Sequence, residues 1–322
     1  MKLHRRDFLQ GAAGAAVLPA TTRRARALDY PTRPVRLVVA FSPGSVVDVY
    51  ARLIGKSLSE RLGQPFIIEN RTGAAGNLGT EAVVRAAPDG YTLLQLGSSI
   101  SWNTAFYDKL NFNFIRDIAP VASIYTSFAA LLVNLSFPAK SVPELITYAK
   151  ANPGTINMAS SGVGTTGHVY GELFKMMAGV DMVHIPYRSW PLPDLLAGQA
   201  PLMFDPIGSS LEYIRAGRVR ALAVTSASRA EMLSDIPTVG EFLPGYEASG
   251  WQGVGAPRDT PVEIINKLNE EINAAITDPK MKTRIADLGG TVFVSSPAEF
   301  RAFITAYTEK WTKVIRAANI RL

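Results

Sequence analysis

Short apolar runs rich in β-branched residues recur along most of this chain, each broken by a glycine-bearing loop and followed by apolar residues at helical spacing. That alternation leaves few folds open. Residues 35–41 (VRLVVAF) read as a strand buried on both faces, and Pro43-Gly44-Ser45 breaks it. Val47, Tyr50, Ala51, Ile54, Leu58 and Leu62 then recur at helical spacing until Gly63 stops them. Residues 66–69 predict the next strand, Gly73 to Asn77 a loop, and a helix follows to about Ala87. Residues 91–96 predict a third strand, ending at Gly97-Ser98-Ser99. Strands alternating with helices predict an α/β fold on a mostly parallel sheet.

The middle of the chain repeats the pattern. Residues 129–133 are strand-like, and Ser141 with Glu144 three positions on predicts a capped helix start. Residues 156–159 form a strand leading into Ser160-Ser161-Gly162-Val163-Gly164-Thr165-Thr166-Gly167-His168, with a helix from there to Ala178. Three more strands are expected at 182–186, 200–204 and 221–225. A return segment at 250–256 precedes helices at 261–276, 279–288 and 297–319. A chain of 322 residues has room for two domains, but no low-complexity linker separates them in sequence. The expectation is therefore an interleaved pair: residues 28–127 and 253–322 make lobe one, and residues 128–252 make lobe two.

Charge excludes one large class of partner. The formal net charge is +6, yet residues 1–27 hold Lys2, Arg5, Arg6, Arg23, Arg24 and Arg26 against the single acid Asp7. The remaining chain is close to neutral, so nucleic-acid binding has no electrostatic footprint. The same 27 residues predict an export signal. A basic start is followed by Phe8-Leu9, a weak apolar stretch from Gly11 to Ala20, and small residues at Ala25 and Ala27 for cleavage near Ala27. His4-Arg5-Arg6-Asp7-Phe8-Leu9-Gln10 resembles a twin-arginine signal, lacking its Ser before the pair and its Lys at the end. No later run of about 18 apolar residues predicts a membrane span. With no cysteine there are no disulfides, thiolate metal sites or cysteine nucleophile. The expected mature protein is soluble and periplasmic.

Four loops follow strands, where ligands bind in open α/β sheets: Ser42 to Ser45, Gly73 to Asn77, Gly97 to Ser99, and Ser160 to His168. All offer small side chains, backbone N–H groups and hydroxyls, which together predict recognition of a small anion; Ser99 is one such hydroxyl. Gly162-Val-Gly164-Thr-Thr-Gly167 matches the G-x-G-x-x-G of dinucleotide-binding turns. The confirming acid should close the following strand, whereas Asp181 stands before it. Helix-terminal amides holding a carboxylate are the better reading, with a bare structural turn as the alternative. Catalysis has little to work with: beyond the leader only His168 and His184 remain, with neither a G-x-S-x-G elbow nor an H-E-x-x-H metal spacing. No cofactor is expected.

The motifs, taken in order, resemble the Bug family, the TctC-type periplasmic solute-binding proteins of tripartite tricarboxylate transporters. They include Tyr30-Pro31-Thr-Arg-Pro34-Val35, Pro43-Gly44 with Asp48, Glu69-Asn70-Arg71 with Gly73-Ala-Ala-Gly76-Asn77, and Ala86-Ala-Pro88-Asp89-Gly90-Tyr91. Further on come Ser161-Gly-Val-Gly164-Thr165 with His168, Ile185-Pro-Tyr187-Arg188, Asp194 to Gln199, Phe204-Asp205 and Arg218 to Thr225. The resemblance implies a two-lobed type II periplasmic binding fold closing on a small organic carboxylate, a monomer that serves membrane permease subunits. Carried over by position, it implies ligand contacts at Pro43, Gly44, Ser45, Asp48, Gly76 and Asn77. It adds Ser161, Gly164, Thr165 and His168 for the carboxylate, and Asp205 on the facing lobe. A periplasmic enzyme acting on a carboxylate or nucleotide, or a ligand-presenting sensor component, would reuse the same loops. The chain departs from the family at Ser45, where a second glycine is usual, and in the shortened Arg188-Ser-Trp190-Pro-Leu-Pro193 stretch. Trp190 and Trp102 either pack within their own lobes or line the pocket and stack on the ligand.

Overall fold

The computed structural model describes residues 29–107 and 109–321; the expected export signal lies outside the described residues. Strand β1 (Val35–Val39) leads into α1 (Val46–Leu62). Ser45 caps this helix by accepting the Asp48 N–H at 3.3 Å, and Gly63 ends it at φ 71, a left-handed conformation that needs a residue without Cβ. Strand β2 (Phe66–Asn70), α2 (Asn77–Val84), β3 (Thr92–Gly97) and the single turns α3 (Ser98–Ser101) and α4 (Phe114–Asp117) follow. Strand β4 (Ile118–Val133) is sixteen residues long. Helix α5 (Val142–Ala151) starts at Ser141, which accepts the Glu144 N–H as the sequence predicts.

Strand β5 (Asn157–Ser160) and α6 (Thr166–Ala178) flank the glycine-rich loop. Strand β6 (Val183–Pro186), α7 (Leu192–Leu196), β7 (Leu202–Pro206), α8 (Ile207–Arg215) and β8 (Arg220–Val224) come next. Strand β9 (Ser249–Pro257) carries the chain back to α9 (Val262–Thr277), α10 (Pro279–Asp287), β10 (Gly290–Val292) and α11 (Pro297–Ala317). A full capping box between Ser296 and Glu299 opens α11. Among the described residues, no helix is long and apolar enough to cross a membrane.

The strands form one curled sheet in the order β2-β1-β3-β9-β4-β7-β5-β6, with β8 and β10 also paired to β4. The sheet is mixed, which corrects the expectation of a mostly parallel one. Strands β1–β3 and β5–β7 pair in parallel, but every pairing of β4 and β9 is antiparallel. Alternation of strand and helix dictates direction only between neighbours joined by a crossover helix. Strands β4 and β9 have no such link to their neighbours.

Strand β4 changes partners midway. From Ile118 to Phe128 it pairs with β9, ending at Phe128 opposite Ser249; from Ala129 onward it pairs with β7 and β8. Thr225, fully buried, ties this junction together. Its hydroxyl accepts the Ala129 N–H at 2.8 Å and donates to the Ala248 carbonyl, clasping the two chain segments that pass from one half of the sheet to the other. Helix α11 packs on β4 and α6 through an aromatic cluster. Trp102 stacks on Tyr307 with centroids 5.8 Å apart, and Trp251 meets Phe300 edge-on at 5.3 Å. Such pairs add roughly 0.5–1.5 kcal/mol each beyond their buried area. Trp102 is therefore a core residue.

Close contact of α11 with the sheet depends on Gly253 in β9. A Cβ there would press on the Phe300 ring and stand 2.5 Å from the Ala122 carbonyl oxygen. Gly253→Ala should destabilise the protein by about 1–3 kcal/mol through overpacking, read as a lowered urea midpoint. An unchanged midpoint would mean that the strand and helix separate freely.

Candidate functional site

The partner change in β4 leaves a cavity of about 180 Å³ beside it. Val46 and Val47 enter from the first turn of α1, and Thr166 and Tyr170 from α6. Gly97, Ser98 and Ser99 come from the end of β3, and Tyr125 through Ala129 contribute four residues from the bend of β4. Pro206 ends β7, and Gly250, Trp251 and Gln252 begin β9. No Asp, Glu, Lys, Arg or His is among the lining residues. The N-termini of α1 and α6 both open onto the space, so its favourable potential for an anion comes from peptide N–H groups and helix dipoles. Among the described residues, no three His, Asp or Glu side chains gather as metal ligands.

Of the residues singled out from sequence, Ser99 lines the cavity directly. Pro43, Gly44 and Ser45 form the loop just before Val46, with the Ser45 hydroxyl engaged as helix cap. Asp48 lies behind them, 2 % exposed, with its carboxylate surrounded by donors. Oδ2 accepts the Gly44 N–H and Arg52 Nε, both at 2.9 Å; Oδ1 accepts Arg52 Nη2 at 3.0 Å and Asn70 Nδ2 at 2.8 Å. Burial alone would raise its pKa, but these donors hold it down to about 2. Asp48 thus braces the loop. Gly76 and Asn77 form the buried start of α2 away from the cavity lining, where Asn77 Oδ1 accepts Asn103 Nδ2 at 2.8 Å.

The glycine-rich loop is wired to a pair of imidazoles. Gly164, at φ 77, donates its N–H to His168 Nδ1 at 3.1 Å, and Thr165 donates its hydroxyl to the Gly162 carbonyl at 2.8 Å. His168 stacks on His184 with centroids 3.5 Å apart and planes 7° from parallel. His184 Nε2 meets the Ser160 hydroxyl at 2.6 Å, and that oxygen also accepts the Gly162 N–H at 3.1 Å. Ser161 is exposed at the tip. Gly167 lets α6 approach β7, since a Cβ there would stand 2.5 Å from the Phe204 carbonyl oxygen. Asp181 sits by the Gly154 turn, not at the end of β6. The glycine pattern is thus accounted for by turn geometry and close packing.

Asp205, 1 % exposed, precedes the lining residue Pro206. Its Oδ1 accepts the indole N–H of Trp190 at 2.9 Å, while Oδ2 has no hydrogen-bond partner. Trp190 is 37 % exposed, lies edge-on to Tyr213 and does not reach the cavity lining. The shortened loop at Trp190 is therefore fastened to β7 through Asp205. Sequence reasoning missed the mid-strand lining residues Tyr125, Ser127, Gly250 and Gln252. Nothing in a strand pattern distinguishes a residue at a bend from one in a straight segment.

Comparison with known proteins places these observations in a family context. A family model described as the tripartite tricarboxylate transporter family receptor matches residues 50–320. Protein BugT of Bordetella pertussis (strain Tohama I) is 34% identical over 298 residues, covering 91% of this chain and 91% of its own. The structure of R. palustris Rpa4515 with adipate is 37% identical, with a TM-score of 0.82, covering 91% of this chain and 100% of that one. The structure of MatC (Rpa3494) from Rhodopseudomonas palustris with bound malate is 32% identical, with a TM-score of 0.78, covering 89% and 100%.

Two groups near the site, the buried Asp205 and the half-buried His184, give stability opposite pH dependences. Burial pushes the Asp205 carboxyl from 3.8 up to about 7, so the folded state keeps a proton that the unfolded chain releases. Its contribution is complete below about pH 4 and lost as pH rises through 7. Burial, then the neighbouring His168, pushes the His184 imidazole from 6.5 down to about 4. Its contribution is present above pH 6.5 and lost as pH falls through 4. Thermal melts from pH 4 to 8 should show Asp205→Asn flattening the loss on the alkaline side and His184→Gln the loss on the acid side. Curves parallel to the parent in both variants would contradict this.

Proposed function

The chain belongs to the tripartite tricarboxylate transporter receptor family of periplasmic solute-binding proteins, and from that premise we propose that it captures a small organic carboxylate in the cavity beside the β4 bend and delivers it to the membrane permease subunits of such a transporter. The observation that carries this reading is the meeting of the α1 and α6 N-termini over one cavity with no charged side chain in its lining. Peptide N–H groups at helix N-termini stabilise a carboxylate without the desolvation cost of a buried cation. The adipate and malate of the two Rhodopseudomonas structures are ligands of the same chemical class.

Residues 28–127 with 253–322 act as one lobe and 128–252 as the other, closing on the ligand about the strands that change partners at Phe128 and Ser249. The protein works as a monomer, exported by the signal at residues 1–27 through its twin-arginine string. In this reading the Ser99 and Ser161 hydroxyls reach the ligand, while Pro43, Gly44, Ser45, Gly164 and Thr165 shape the two helix-start loops whose N-terminal amides attract it. Asp48 and His168 hold the two helix-start loops in shape, and Asp205 anchors the wall at Trp190.

Calorimetry with a panel of small acids and their methyl esters tests the proposal. At least one acid should bind ten times tighter or more than its ester, since removing the charge removes what the helix termini attract. Val46 is 47 % exposed at the rim, so Val46→Trp should fill the opening and abolish binding with little change in melting temperature. Equal binding of acids and esters would sink the carboxylate reading. Unimpaired binding by Val46→Trp would move the site elsewhere.

A further inference from the structure

One wall of the cavity is built from hydroxyls. Ser127 on β4 lies directly opposite Gly250 on β9 in the strand register. Ser98 approaches from the end of β3 and Tyr170 from α6, and all four residues line the cavity. The position that a Cβ of residue 250 would occupy is 3.3 Å from Ser127 Oγ, 3.5 Å from Ser98 Oγ and 3.6 Å from the Tyr170 hydroxyl. Three oxygens from three elements thus surround one point that the glycine leaves empty. The backbone does not demand glycine here, because residue 250 is absent from the positive-φ glycines. What the glycine supplies is room.

Resting on the carboxylate reading above, we infer that Ser98, Ser127 and Tyr170 form a second subsite that takes an oxygen acceptor at the other end of the ligand, with Gly250 kept bare to admit it. Hydroxyls can turn their protons toward a carboxylate or carbonyl oxygen, and hydrogen bonds to a charged acceptor are about twice as strong as neutral ones. Tyr170 is well placed to donate. Its hydroxyl is 3.5 Å from that of Tyr307, and burial raises its pKa well above the usual phenol value, so it stays protonated. An alkyl terminus would take water from these hydroxyls and offer no acceptor in return, and an ammonium would find no carboxylate in the lining. The subsite therefore selects acids with a second oxygen function over simple fatty acids and amino acids.

Matched pairs that differ only at the far end provide the test: succinate and butyrate, glutarate and pentanoate, adipate and hexanoate, each titrated calorimetrically. The parent protein should bind at least one diacid ten times tighter or more than its partner. In the Ser98→Ala, Ser127→Ala double variant that selectivity ratio should fall at least tenfold, and Gly250→Ala should lower it again by filling the subsite. Circular dichroism melts check folding; should Gly250→Ala fail to fold, the serine variant carries the test alone. A selectivity ratio that survives the serine double variant overturns the inference, as does a parent with no preference within any pair. If monocarboxylates bind as well as diacids, only the subsite falls. If neither these acids nor any in the wider panel binds, the carboxylate reading falls with it.

Discussion

Along its sixteen residues, β4 must satisfy the backbone polar groups of a largely buried strand, and it does so with partners from four other strands. Its first part takes β9 on one side and the short β10 on the other; its last five residues take β7 and β8. No single flat sheet accommodates those demands. The register shifts between Pro120 and Ala122, between Ser123 and Tyr125, and between Leu131 and Leu132 bend the strand as partners change. The cavity lies at the bend because sheets that diverge leave a wedge of space, and strand and helix ends surround it. Thr225 holds the wedge at its apex, with one hydroxyl bonded to both crossing segments.

A neutral lining suits a carrier. A lysine or arginine buried in the cavity would be left without its counter-charge whenever the ligand left, whereas peptide N–H groups are dipoles already fixed by their helices. The charged and titratable residues that sequence suggested for the site stand behind the walls. Asp48 braces one helix-start loop through Gly44 and Arg52, and the His168–His184 stack braces the other through Gly164 and Ser160. Asp205 fastens a third segment through Trp190. Asp48 and the imidazole pair stand behind the two helix starts that border the cavity, and Asp205 adjoins the lining residue Pro206.

Much of this was legible in the sequence. Ser45, Gly63, Ser141 and Gly154 mark element boundaries through local chemistry, caps and left-handed turns, so the strand–helix runs were readable. The full length of β4 was not. Its first half contains Pro120, small residues and no polar–apolar alternation, and its extended conformation is imposed by β9 more than a hundred residues away. The site divides along the same line. Loops that follow strands pointed to the two helix termini, because glycine and hydroxyl residues there have local reasons to occur. The strand residues Tyr125, Ser127 and Gly250 matter only because two distant segments meet, and no local pattern records that meeting.

The place of β9 has a consequence for how the chain can be made. Strand β3 finishes its hydrogen bonding only with β9, and the facing glutamines Gln95 and Gln252 are 157 positions apart. A chain emerging from the ribosome therefore presents β1, β2 and β3 long before the strand that covers their open edge exists. Contacts this distant in sequence slow folding, and an open edge invites other strands to pair with it. Residues 128–248 can gather around their own short strands meanwhile, but the first half stays incomplete until residue 257 has emerged. A chain cut short anywhere before β9 would lack the middle of its sheet.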